Sequence, residues 1–195
     1  ELCTSSDCTD ATVLTNTSAS FNIASASAGA DVGSWINSFE LEIGKTYTHI
    51  RSTINSTFTI AGYTTNSSIS SSYCVTESSP NTAASHNTAP IVDGSNSTTT
   101  ADMSWVIPNE ADADNGSFYG DLSSDFSTNS ITKTNDSSTF YWVGTLANSY
   151  TPNINSAPKI TISFDVANQL RSQQAGADTC YMYVLPPTVS VSLTD

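Results

Sequence analysis

Alternation of apolar and polar residues is the feature that most constrains this chain. In Lys159-Ile-Thr-Ile-Ser-Phe-Asp-Val166 the apolar Ile160, Ile162, Phe164 and Val166 occupy every second position. Successive strand side chains point to opposite faces, so a strand gathers these four on one side, whereas a helix scatters them. Thr188–Thr194 repeats the pattern with Val189, Val191 and Leu193, and near the start Val13, Thr15, Thr17, Ala19, Phe21 and Ile23 alternate with polar neighbours. Further strands are expected at Trp35–Ile43, Tyr47–Ile54, Thr57–Tyr63, Ile69–Thr76, Met103–Ile107, Thr139–Leu146 and Thr179–Leu185, segments rich in β-branched and aromatic residues. Helical signals are confined to a turn or two at Asp165–Ser172 and one turn at Asp121–Phe126. Glu77–Ala101 is poor in apolar residues and reads as a long surface excursion.

About ten short strands, each with one apolar face, predict an all-β protein: an antiparallel two-sheet sandwich or jelly roll. Parallel pairing is not expected, because it needs long crossovers and the chain offers no helices to make them. No internal repeat or linker interrupts the chain. The expected organisation is an N-terminal tip and candidate donor strand at 1–23, followed by one sandwich domain at 24–195.

Composition narrows the function classes. Ser, Thr and Asn make up 78 of 195 residues, and five Lys+Arg stand against eighteen Asp+Glu, for a net charge of −13. Nucleic-acid binding needs a basic face to displace counterions, which this balance cannot provide. No run of apolar residues is long enough for a transmembrane helix. The chain opens Glu1-Leu2-Cys3 with no charged-then-apolar leader, which reads as a mature, secreted protein. Cys3, Cys8, Cys74 and Cys180 allow three pairings. Cys3–Cys8 and Cys74–Cys180 are favoured, the first closing a small loop and the second joining two segments that both read as strands. Disulfides imply an oxidising, extracellular or cell-surface location.

Several motifs carry chemistry in principle. Glu110, Asp112, Asp114 and Asp121, in Glu110-Ala-Asp-Ala-Asp-Asn-Gly-Ser-Phe-Tyr-Gly-Asp121, resemble half of a calcium loop, where alternate oxygens converge on one cation. Gly116 falls seventh from Glu110 where that pattern wants it sixth, and an Asp holds the twelfth place, so the plainer reading is a solvated acidic turn. Glu40 and Glu42 are spaced to share one face of a strand and could in principle form an acid–base pair, but the plainer reading is the solvent side of a strand whose Phe39, Leu41 and Ile43 go inward. His49 is expected on a polar face beside Tyr47 and Arg51, and His86 in a loop. The strained Gly-x-Ser-x-Gly elbow and a phosphate loop are absent, so no enzyme is expected. Trp35, Trp105 and Trp142, with Tyr119, Tyr141 and Tyr150, form either a sugar-stacking platform or core. Asn-x-Ser/Thr sequons at Asn16, Asn55, Asn66, Asn96, Asn115 and Asn135 are acceptors for N-glycans.

In composition, length and its alternating N-terminal segment, the chain resembles subunits of extracellular bacterial or archaeal filaments that join by donor strands. That resemblance implies a homopolymer in which Val13, Phe21 and Ile23 enter a neighbour's sheet, and it assigns no catalytic residue. The alternatives are a monomeric carbohydrate-binding or adhesin module, with glycan and calcium as ligands, and a secreted jelly-roll hydrolase.

Overall fold

The structure is a computed structural model that describes residues 1–23, 30–36, 38–65, 72–78, 87–93, 100–109 and 126–195. It is nearly all β, with one helical turn at 126–128. In chain order the strands are β1 (Leu2–Cys3), β2 (Ala11–Thr12), β3 (Tyr47–Asn55), β4 (Thr57–Ile60), β5 (Tyr63–Thr65), β6 (Ser72–Val75) and β7 (Asn87–Asp93). The second half of the chain adds β8 (Met103–Val106), β9 (Ile131–Thr132), β10 (Thr139–Tyr150), β11 (Lys159–Asp165), β12 (Leu170–Gln174), β13 (Thr179–Val184) and β14 (Thr188–Thr194). The chain separates into two compact units, Glu1–Thr53 with Tyr141–Ala167 and Pro187–Asp195, and Ile54–Phe140 with Asn168–Pro186. Residues 1–23 lie wholly within the first unit, and the divisions fall elsewhere, inside β3 and β10 among other places.

The first unit is built on a sheet ordered β11-β14-β10-β3-β1-β2. Leu2, Tyr47, Ile50, Leu146, Tyr150, Val191 and Leu193 form its buried core. Each such side chain contributes roughly 1.5–3 kcal/mol when removed from water. β11 and β14 pair antiparallel along their whole length, from Lys159↔Thr194 to Asp165↔Thr188. β10 and β14 are parallel, in register at Leu146↔Val191. This corrects the expectation of purely antiparallel sheets: the 37 residues from Thr151 to Pro187 carry β11, β12 and β13, so strands supply the crossover that a helix usually makes.

The second unit holds a sheet ordered β12-β13-β7-β6-β5 and the separate pair β4-β8. β7 changes partner along its length: Asn87–Pro90 pairs with β13, and Ile91–Asp93 pairs with β6. A proline at the switch removes a ladder donor at the point where the strand turns from one neighbour to the other. The two cysteines sit beside this switch. Cys74 is opposite Ile91 and Cys180 is opposite Ala89, and the disulfide joins their strands with Cα atoms 6.2 Å apart. Ala89, Met103 and Met182 complete a buried cluster around it. The Thr64 and Ser172 hydroxyls hydrogen-bond between β5 and β12, so the two edge strands of this sheet are tied by their side chains.

Three sequence expectations are corrected. Trp35–Ile43 contains no strand among its described residues; Phe39 and Leu41 instead pack against the first core from a loop. Asp165–Ser172 is not helical but passes from β11 into β12 through Asn168, at φ 56°. Glu77–Ala101 is more than a surface excursion, since β7 lies within it and is paired on both sides. Alternation records which side chains go inward. It does not record whether a neighbouring strand has a free edge to receive the backbone.

Candidate functional site

Residues 1–12 are integral to the first core. Leu2 and Cys3 are wholly buried, β1 lies between β2 and β3, and the Cys3–Cys8 disulfide closes the intervening loop with Cα atoms 5.0 Å apart. The buried Tyr47 anchors the end of β2: its hydroxyl lies 3.0 Å from Thr12 Oγ1 and accepts a hydrogen bond from Glu42 N at 3.3 Å. Beyond Thr12 the chain leaves the sheet.

Residues 13–23 keep the two-residue alternation but form no strand. Leu14 packs against the core. A turn then interrupts the run, with Thr17 N donating to Thr15 Oγ1 at 3.0 Å. Short hydroxyl-to-backbone bonds of this kind compete directly with ladder formation. The Trp35 indole donates to Thr17 O at 3.1 Å. The Phe21 ring lies over Gly33, where an added Cβ would sit 3.0 Å from Cε1 and φ is +144°, so only glycine accommodates this approach. Val13 and Phe21 remain 51% and 39% exposed, and Ile23 is half-buried.

The sheet of the same unit ends at β11. This edge strand is seven residues long and, among the described strands, pairs only with β14. Lys159 opens it, after Pro158, but Ile160–Asp165 contains no lysine, proline or glycine. Lysine, proline, bulges and shortness are the usual means of blunting an edge. The opposite edge, β2, has two residues and is blunt by length. Phe164 on β11 is exposed. Of the nine large exposed apolar residues among those described, eight belong to the first unit: Val13, Phe21, Val32, Trp35, Ile43, Tyr141, Ile154 and Phe164.

Charge is sparse here, and the ion pairs gather on Lys45 and Arg51. Arg51 Nε donates to Glu1 Oε2 at 2.6 Å, and its guanidinium lies 5.6 Å from the Tyr141 ring centroid. The hydrogen bond from Arg51 holds the Glu1 carboxyl below its ordinary range, against the opposing effect of burial. Lys45 reaches Asp10 at 2.9 Å and Glu42 at 3.4 Å.

Of the other sequence candidates, the Glu110, Asp112, Asp114 and Asp121 set, Tyr119, His86 and the sequons at Asn66, Asn96 and Asn115 lie outside the described residues. Among the described residues no group of three His, Cys, Asp or Glu is placed to hold a metal ion. Asn16, Asn55 and Asn135 are exposed. Glu40 and Glu42 are exposed in a loop, with Glu42 paired to Lys45. His49 accepts or donates at Nδ1 with Thr48 Oγ1, 2.8 Å away, and is half-buried; Tyr47, expected beside it on a polar face, is instead core. Trp105 is buried with Phe58, Trp142 is half-buried against the first core and Tyr150 is buried, so the aromatic set does not form one exposed platform. The edge strand β11 as an open surface was missed by sequence reasoning, since edge position is a property of topology. Its missing gatekeepers were nonetheless legible.

These features define a nearly all-β, disulfide-linked protein in which no described helix is long and apolar enough to cross a membrane. Its chain matches no protein-family model, no curated protein and no solved structure in comparisons with each.

Proposed function

We propose that this chain is a secreted structural subunit that joins copies of itself by β-strand addition. Residues 13–23 of one copy pair along the β11 edge of the next and complete its sandwich. The observation that carries the reading is the coexistence, in one unit, of a strand-patterned segment outside any sheet and a seven-residue edge without internal gatekeepers. A donor with its own alternation supplies both main-chain hydrogen bonds and side chains for alternate positions of the acceptor. A surface rich in Ser, Thr and Asn favours close lateral contact, because few charges have to be desolvated. The two disulfides fit an oxidising compartment.

The test uses the full chain, because removing Glu1–Ile23 would also remove the buried Leu2 and Cys3. Electron microscopy and sedimentation of the unaltered protein are expected to show regular polymers. Val13→Ser with Phe21→Ser, and separately Thr161→Lys with Ser163→Lys, are expected to leave folded monomers. A parent protein that sediments only as a monomer, under every condition that preserves its fold, would overturn the proposal. Polymers unaffected by either variant pair would overturn the strand-addition mechanism.

A further inference from the structure

Lys133 is turned inward, with 5% of its surface exposed. A lysine this buried is uncommon unless something partners it. The ion pairs found among the described residues involve Lys45 and Arg51, not Lys133. Its Nζ is instead 2.6 Å from Asn109 Oδ1. With a C=O bond of ~1.2 Å, Nζ lies no more than ~3.8 Å from the amide carbon Cγ, close to the separation of a near-attack arrangement.

The other two contacts of Asn109 have the polarity of an acyl-transfer site. The backbone N–H of Asp136 donates to Oδ1 at 2.9 Å, where negative charge would develop on attack. The Asp136 carboxylate accepts from Nδ2, the nitrogen that would leave, with Oδ1 of Asp136 3.1 Å away. Asp136 adopts φ 60°, a left-handed conformation that Asp tolerates better than most residues. In this turn its own N–H and its own carboxylate therefore reach the two ends of one amide. Asn109 follows the buried Ile107 and Pro108 in the chain, and Asp136 is open to solvent. A nucleophile, an electrophilic amide, an oxyanion donor and a proton carrier thus meet within one unit, drawn from residues 24 and 27 positions apart.

We infer that Lys133 and Asn109 form an intramolecular isopeptide bond, with Asp136 as the catalytic residue. Nζ, as the free amine, attacks Cγ of Asn109, and Oδ1 carries the charge of the tetrahedral adduct against Asp136 N–H. The Asp136 carboxylate takes a proton from Nζ once it is bonded to Cγ and passes one to Nδ2. The Cγ–Nδ2 bond breaks, ammonia leaves, and a secondary amide joins the two side chains. No electron is gained or lost, and no cofactor or co-reactant is required. The inference stands independently of the assembly reading, although a covalent clamp suits a chain that bears load.

Intact mass of the folded full-length protein is expected to fall short, by one ammonia, of the mass calculated for the sequence with both disulfides formed. Proteolytic mapping should recover a single branched peptide containing both Asn109 and Lys133. Asp136→Asn keeps the turn and its N–H but removes the carboxylate. It should slow linkage by roughly 100-fold or more, the usual contribution of a positioned proton carrier, and be recovered at full mass. Lys133→Arg keeps the charge and abolishes linkage. A folded parent chain of full mass with separate Asn109 and Lys133 peptides would overturn the inference. So would ammonia loss that leaves the peptides separate, which marks cyclisation of an asparagine onto its own backbone. If Asp136→Asn links as completely as the parent, the role given to Asp136 is wrong.

Discussion

Replacing Cys74 and Cys180 together with alanine should be the most damaging change that leaves every strand residue otherwise intact. The two positions are 106 residues apart. Releasing a loop of about a hundred residues returns ~4.7 kcal/mol of entropy to the unfolded chain in the loop-closure treatment. The same treatment assigns only ~2 kcal/mol to Cys3–Cys8, where the separation is 5. All four cysteines are buried to a similar degree, so loss of packing does not separate the pairs and loop length does. Cys74–Cys180 also clamps the place where β7 changes partners, within the second unit. Urea unfolding followed by circular dichroism and tryptophan fluorescence distinguishes the consequences. The Cys74→Ala/Cys180→Ala variant should lose about 4–5 kcal/mol with a steeper denaturant dependence, because its unfolded state is more expanded. The transition reported by Trp105 in the second unit should move more than that reported by Trp142 in the first. A loss no larger than that of Cys3→Ala/Cys8→Ala, with an unchanged slope, would refute the loop-length argument.

The Glu1–Arg51 pair predicts a specific acid dependence. The carboxyl is held below its ordinary value of 4.5 by the Arg51 hydrogen bond, so its stabilising contribution is complete above that pH and is lost as pH falls through the lowered folded value. Thermal midpoints measured against pH should therefore drop less steeply below pH 4.5 in Glu1→Gln than in the parent, and identical slopes would show the pair to be without consequence. At Gly144, an added Cβ would overlap the Trp142 indole, which folds over the glycine on the same strand face. Gly144→Ala should cost about 1–3 kcal/mol through overpacking and shift Trp142 emission. Trp142→Leu in the same chain should recover much of the loss; no recovery would mean that the indole is not the obstacle.

Much of the fold is legible before any coordinates are seen. The alternation in Lys159–Asp165 and Thr188–Thr194 marks two strands, and the structure pairs them residue by residue. Tyr47, Met103, Thr139 and Thr179 each begin a strand that an expected segment also begins. The same rule misleads at Trp35–Ile43, where Phe39 and Leu41 pack from a loop, and at 13–23 Leu14 packs on the core while the alternating Val13 and Phe21 stay exposed. It misses β7, whose Asn87-Thr-Ala-Pro sequence has little alternation to read and whose position rests on pairing with β6 and β13. The Lys133, Asn109 and Asp136 cluster left no local signal at all, since its members come from two segments that only the fold brings together.

Sequence alone therefore determined the chemistry of the elements: strands, because apolar side chains recur with period two, and a disulfide framework, because four cysteines stand with only two histidines and no second close cysteine pair. Tertiary structure decided everything that depends on which backbone edges are occupied. It determined that β14 lies parallel to β10, that Leu2 and Cys3 are core and that β11 ends the sheet among the described strands. The physical reason is the range of the interactions. Side-chain period and turn preference act over a few residues and are written locally. Strand pairing and the meeting of an amine with an amide 24 residues away depend on the path of the whole chain.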